Sequence, residues 1–298
     1  MNAREWGIAL LCCVLPDDDL SPLTPAQLRT LHRRVLAAGM PESPDGSVKP
    51  ADLMALGYDE AEAGRIFGLL SRENALERYL DGARARGIYP ITRLSPEYPS
   101  RLRLQLGLDA PALLFASGDP DLFSREAVGV VGSRELFASG AAFARRVGTL
   151  AAKEGFVLAS GNAVGADQTG QNACYNAGGS YIAYLADSLA EHPSRDEARQ
   201  LMVAEGGYDL PFNMIRALRR NHFIHAQGSR VFVAQTDAGH GGTWCGAVDN
   251  LRKSWSEVYV HADGSEGARL LCERGAVPVA MEELTSLRRL RPMQISFL

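Results

Sequence analysis

Short apolar runs alternate with amphipathic stretches over most of the chain. Val128, Val130 and Val131 form a run with no polar face, which predicts a strand buried on both sides; Ala141 to Ala152 then carries helical periodicity, and Phe156 to Ala159 starts the cycle again. The same alternation predicts strands at Ser180 to Ala186, Arg230 to Gln235, Val258 to His261 and Val277 to Ala280, with helices over Phe212 to Gln227, Thr243 to Lys253 and Glu266 to Arg274. Upstream, Ile88 to Leu94 leads into Leu102 to Leu108, and Pro111 to Phe115 reads as a short apolar strand. The polar stretch from Asp187 to Arg199 and the segment Met202 to Glu205 read as loop or helix. Strand and helix in regular alternation predict an α/β fold with a mostly parallel sheet covered on both faces.

The first 86 residues have a different texture. Thr24-Pro25-Ala26-Gln27 reads as an N-cap followed by proline in the first turn, opening a helix through Leu28, Leu31 and Val35. Tyr58 to Leu70 and Asn74 to Arg86 predict two more helices, while Gly39 to Pro50, rich in proline, glycine and serine, predicts an exposed loop. These features divide the chain into a small helical domain, residues 1–86, and an α/β domain, residues 87–298. Flexibility is expected at 39–47 and from Arg288 to the last residue, Leu298.

Composition narrows the chemistry. At 298 residues and 46% hydrophobic content the chain can bury a large core, and a formal net charge of −4 means that any grip on a polyanion must come from a local patch. Cys12, Cys13, Cys174, Cys245 and Cys272 include no C-x-x-C pair, which speaks against zinc, and an odd count with two adjacent residues suits a reducing cytoplasm. The apolar segment 7–15 is a short candidate for a secretory h-region, but Pro16 and three aspartates follow it, and no run approaches a membrane span. The expectation is a cytoplasmic protein with no membrane anchor and no metal.

The turns carry the functional signal. Gly132-Ser133-Arg134, the segment Ser160 to Asp167 beginning Ser160-Gly161, and Gly239-His240-Gly241-Gly242-Thr243 each follow a predicted strand. In a parallel sheet such turns share one rim, where orphan N–H groups of helix starts favour phosphate or carboxylate. Arg134 adds a planar cation, and Asp167 is placed to cap the helix that follows it. A second signal is basic: Arg216, Arg219, Arg220, His222, His225 and Arg230 fall close together with no acidic residue between them, a pattern that reads as phosphate contact and predicts steep salt dependence. Phe212 and Phe223 are candidates for stacking on bases.

Taken together, Gly132-Ser133-Arg134, the Ser160 to Asp167 turn, Arg220-Asn221-His222-Phe223-Ile224 and Gly241-Gly242-Thr243 resemble the motifs of the DNA-processing protein A family, DprA/Smf. The lead-in at residues 92–119 is similar too, and the resemblance runs from about Gly87 to Val279. It implies an extended Rossmann-like domain behind a small SAM-like helical domain, with a positively charged pocket for single-stranded DNA. It also implies a homodimer that protects incoming strands and helps load a RecA-type recombinase in natural transformation, with no cofactor and no catalysis. Arg134, Arg219 and Arg220 would hold phosphates, backbone N–H groups at Gly132, Ser133, Ser160, Gly161, Gly241 and Gly242 would complete the cradle beside Thr243, and Asn221 would fix the loop. Ala247 to Trp255 or Tyr181 to Leu189 would supply a dimer face.

The sequence departs from the family at Val164, where arginine or lysine is common, and at Asn172, where histidine is usual. The loop 187–209 lacks the usual family texture, and the chain stops soon after Val279 without a winged-helix extension, which suggests a divergent member serving recombination, a mobile element or defence. Two alternatives use the same rim. A nucleotide-sensing domain needs the same pocket, whereas a nucleoside-monophosphate phosphoribohydrolase needs a glutamate that Gly241-Gly242-Thr243-Trp244-Cys245-Gly246 does not provide. The glycine spacing at Gly129 to Gly132 does not suit a dinucleotide enzyme, and a P-loop lysine is missing.

Overall fold

The computed structural model describes residues 1–16, 18–39 and 48–290, so most of the predicted loop at 39–50 and the end of the chain from 291 lie outside the described residues. Helices come first: α1 (Ala3–Cys12), α2 (Pro25–Ala38), α3 (Pro50–Ala55), α4 (Glu60–Leu70) and α5 (Glu73–Arg84). There follow β1 (Tyr89–Thr92), α6 (Ser100–Leu106), β2 (Leu113–Gly118), β3 (Ala127–Val131), α7 (Ala138–Lys153), β4 (Val157–Ser160), α8 (Ala166–Asn176), β5 (Ser180–Leu185) and β6 (Gln200–Glu205). The chain closes with α9 (Met214–Gln227), β7 (Arg230–Val233), α10 (Gly241–Lys253), β8 (Glu257–His261), α11 (Glu266–Cys272) and β9 (Val277–Val279).

All nine strands join one sheet in the order β1-β2-β6-β5-β4-β3-β7-β8-β9. From β6 to β9 every pairing is parallel, and only β2 runs against its neighbours. The chain moves outward from β3 through β4 and β5 to β6, returns by α9, and continues outward on the other side through β7, β8 and β9. Winding therefore reverses between β3 and β7, and a crevice opens at their carboxyl ends.

Strand alternation sorts the core into layers. Val131, Ala159, Ile182, Val203, Val231 and Val260 face one side under α6, α9, α10 and α11, while Val128, Val130, Leu158 and Phe232 face the other under α7 and α8. On that second side, Leu113, Phe115, Ala183, Leu185, Met202 and Ala204 pack against the apolar faces of the N-terminal helices. The run from Ala9 to Cys13, considered above as an h-region, is buried in this cluster. Buried Arg72 ties the helices together by donating to the carbonyl oxygens of Leu10 and Cys13 and pairing with Asp18.

Thr24 caps α2 as expected, with Gln27 reaching back to the Thr24 N–H at 3.0 Å. Among the described residues the N-terminal region has five helices where three were expected, α1 and α3 being the additions, and one strand also differs from the sequence reading. Gln200–Glu205 is strand β6, between β2 and β5, because Leu201 to Ala204 is an apolar run with both faces buried. Tyr181 to Leu189 does not supply a dimer face either, since it is mostly β5, a central and buried strand. Among the described residues the cysteines are free, Cys12 and Cys13 being buried, and no helix is long and apolar enough to cross a membrane.

Candidate functional site

The turn after β3, the start of α8 and the loop from β7 to α10 meet at the switch point around a cleft of about 520 Å³. Glycines allow the contact. A Cβ at Gly132 would lie 2.6 Å from the Cβ of Ala166, and one at Gly165, whose φ of +93° already excludes most side chains, would lie 2.7 Å from the Cα of Arg134. The first turn is also bound to the end of β7, where the Ser133 N–H donates to the Gln235 carbonyl at 3.0 Å. Gln235 then clamps the next residues: its Oε1 accepts from the Phe137 N–H at 2.8 Å and its Nε2 donates to the Glu135 carbonyl at 3.1 Å.

On the opposite wall, α9 contributes Met214, Ala217, Leu218, Arg220 and Asn221. Asn221 Nδ2 donates to the Gly242 carbonyl at 2.9 Å and fixes the start of α10 against α9. The first residues of α10, Gly241, Gly242 and Thr243, line the cleft, and His240 at the N-cap makes no side-chain cap, so a helix start with orphan N–H groups opens onto this space.

At the floor, Arg220 Nη1 lies 3.1 Å from Asp167 Oδ2, both side chains being only 8% exposed. Burial pushes the Asp167 carboxyl above its usual range while the guanidinium pulls it down. Gly161 forms the seat of this pair: a Cβ there would overlap the Arg220 guanidinium and sit 2.7 Å from Asp167 Oδ2. Arg220 Nε lies buried without a hydrogen-bond partner among the described residues, although the residue lines the cleft. At the mouth, Arg134 is exposed and makes no salt bridge among the described residues; its guanidinium sits 5.4 Å from the ring centroid of Phe212.

Of the residues singled out in the sequence, Gly132, Ser133, Arg134, Arg220, Asn221, Gly241, Gly242 and Thr243 line the cleft. Ala163, Asp167 and His240, from the second and third turns, line it as well, and the others lie elsewhere. Ser160 is buried at the end of β4, where its hydroxyl donates to the Val130 carbonyl at 2.8 Å, and Gly161 is covered by Arg220. The Ser133 N–H, taken above as part of the anion cradle, is spent on Gln235. Asp167 is not the cap of α8, a place held by Gly165; it lies in the first turn and serves Arg220. Arg219 projects from another face of α9, since successive helical residues are about 100° apart, and its Nε lies 2.6 Å from Glu205.

The basic cluster does not form one stripe. His222 pairs with Asp249 at 2.9 Å, Arg230 with Glu257 at 3.0 Å, and Arg216 donates to the Pro211 carbonyl at 3.0 Å. His225 is fully buried beside Asn250, and burial pushes its pKa down to about 3, so it stays neutral. Phe223 is a core residue packed on Tyr184, with ring centroids 5.8 Å apart, whereas Phe212 is exposed. The two arginines that line the cleft meet three carboxylates, Glu135, Asp167 and Asp237, so its formal charge is −1 with His240 counted as neutral.

Sequence reading missed Phe137, Met214, Leu218 and Gln235, which also line the cleft. Phe137 carried no signal along the chain, because the helical periodicity is read from Ala141; α7 begins at Ala138, and phenylalanine occupies its N-cap, where a small polar residue is the rule.

The family model described as DNA recombination-mediator protein A matches residues 90–287. The DNA processing protein DprA of Bacillus subtilis (strain 168) is 35% identical over 112 residues, an alignment that covers 37% of this chain and 37% of that relative. Among solved structures, DNA processing protein A from Streptococcus pneumoniae superposes with a TM-score of 0.66 at 22% identity, covering 86% of this chain and 95% of that one. DNA processing protein A from Helicobacter pylori, described for its single-stranded DNA binding mode, gives a TM-score of 0.54 at 20% identity over 66% of this chain and 92% of that one. Both likenesses concern the α/β fold.

Proposed function

Because this chain belongs to the DNA recombination-mediator protein A family, we propose that it binds single-stranded DNA in the cleft between β3 and β7 and acts as a recombination mediator. In this role it shields an incoming strand and helps to load a RecA-type recombinase during transformation or DNA uptake. The observation that carries the reading is the meeting of three turns at the sheet's switch point, where exposed Arg134, the Arg220 side chain and the uncapped start of α10 border one space.

Each wall has a task. Arg134 and Arg220 contact the strand's phosphates or base edges, the N–H groups at Gly241, Gly242 and Thr243 receive an anionic oxygen, and Asn221 keeps α10 aimed at it. The cleft holds DNA without cutting it: Asp167, the carboxylate at its floor, is committed to Arg220 and is not free to move protons. We further propose a cytoplasmic homodimer working without a cofactor.

Fluorescence anisotropy with a labelled single strand and with its duplex tests this reading. Saturable binding of the single strand in preference to the duplex, weakened by Arg134→Ala, is the expected result. Equal affinity for both forms, or a nucleotide that raises the melting temperature where oligonucleotides do not, refutes it.

A further inference from the structure

Exposed apolar side chains gather at this cleft. Phe137, Met214 and Leu218 line it, Val164 and Ile215 flank residues that do, and Phe212 lies against Arg134. Two of them are held open at a cost. Phe137 is 73% exposed at the N-cap of α7, a position where serine, threonine or aspartate would satisfy an orphan N–H, and here no side chain caps the helix. Its backbone is pinned by the Gln235 amide, so the ring stands at the mouth on a fixed support. Phe212 is 47% exposed and carries the Arg134 guanidinium over its ring.

The electrostatics point the same way. The cleft is formally −1, Arg220 is paired with Asp167, and the chain as a whole carries −4, so little field draws in a polyanion. Resting on the reading of the cleft as a single-strand site, we propose that this protein grips the bases more than the phosphates, with Phe137 and the Phe212–Arg134 pair as two stacking platforms. Bases suit such a surface: every base has a π-face, and stacking on an aromatic ring tolerates any sequence. Phosphate contacts are then limited to about two, which sets a salt slope near −1.4 for a single strand.

The test compares an oligothymidylate with an abasic strand of the same length, on the full chain and on Phe137→Ala, Phe137→Tyr and Phe212→Ala. Affinity for the thymidylate should fall roughly sevenfold or less between about 50 and 200 mM salt, where four phosphate contacts would cost about 50-fold. The abasic strand should bind at least tenfold more weakly. Each alanine variant should lose roughly five- to 150-fold, Phe137→Tyr should restore binding, and melting temperatures should stay near wild type, since both rings are exposed. Equal binding of both strands with a steep salt slope overturns the stacking proposal and leaves the single-strand reading standing. Failure of the unaltered chain to bind either strand removes both. Alanine variants that keep their DNA affinity but lose self-association in sedimentation would assign the apolar rim to a second copy of the chain and also overturn the proposal.

Discussion

Gly161→Ala is the sharpest probe of how the cleft floor is built. The backbone at Gly161 lies outside the left-handed region, so alanine is conformationally acceptable, and its effect falls on what the methyl meets. That carbon would overlap Arg220 Nη1 and Cζ and lie 2.7 Å from Asp167 Oδ2, so the guanidinium must leave. Asp167, 6% exposed, then loses its counter-charge inside the protein. Breaking one partner out of a buried pair costs about 3–5 kcal/mol, a large share of the roughly 5–15 kcal/mol that holds a domain together. Urea denaturation of the variant at neutral pH should show this loss. In an Arg220→Ala background the methyl meets no guanidinium, so Gly161→Ala should add less than about 1 kcal/mol, a coupling energy near 3 kcal/mol. The deficit also has a pH signature. A buried carboxyl with its pKa raised above the unfolded value contributes stability at low pH and loses it as pH rises through the folded pKa, so the variant should recover part of its loss toward about pH 4. A variant within about 0.5 kcal/mol of wild type, or an undiminished cost in the Arg220→Ala background, would refute the reasoning.

Gly165→Ala should destabilise by about 3 kcal/mol or more, because a φ of +93° and backbone atoms of Ser133 and Arg134 leave no room for a methyl; urea midpoints check this. Asn221→Ala should cost about 1 kcal/mol and speed amide exchange from Trp244 onward in the first bonded turn of α10, since the bond holding the start of that helix is gone. Arg134→Ala should leave stability within about 0.5 kcal/mol of wild type, yet weaken single-strand binding and flatten the salt slope by ~0.7. The buried His225 refuses a proton at any pH above about 3, whereas the unfolded chain accepts one below about 6.5. Its contribution is therefore intact above that pH and is lost toward pH 3 at up to ~1.4 kcal/mol per unit; a stability–pH profile for His225→Gln should lack that slope.

The sequence by itself determined the strand–helix alternation, the cap at Thr24-Pro25 and the three glycine turns, because periodicity and capping depend on residues within a turn or two of each other. Once a parallel sheet is granted, those turns must share the carboxyl rim of their strands, so the place of the cleft was legible too. Charge was not. The basic residues of α9 look unaccompanied along the chain, but the fold brings Arg219 to Glu205, Arg220 to Asp167 and His222 to Asp249, partners 14, 53 and 27 positions away. Strand β6 was equally hidden, since a short buried apolar run has no period that separates strand from helix, and only its neighbours β2 and β5 decide. Phe137 lay outside the helix predicted from Ala141, and its place at the mouth of a cleft depends on where α7 begins and on Gln235 reaching across from the end of β7. Which groups are spent inside the molecule, and which remain to meet a ligand, is settled by contacts between distant segments, and these exist only once the chain has packed.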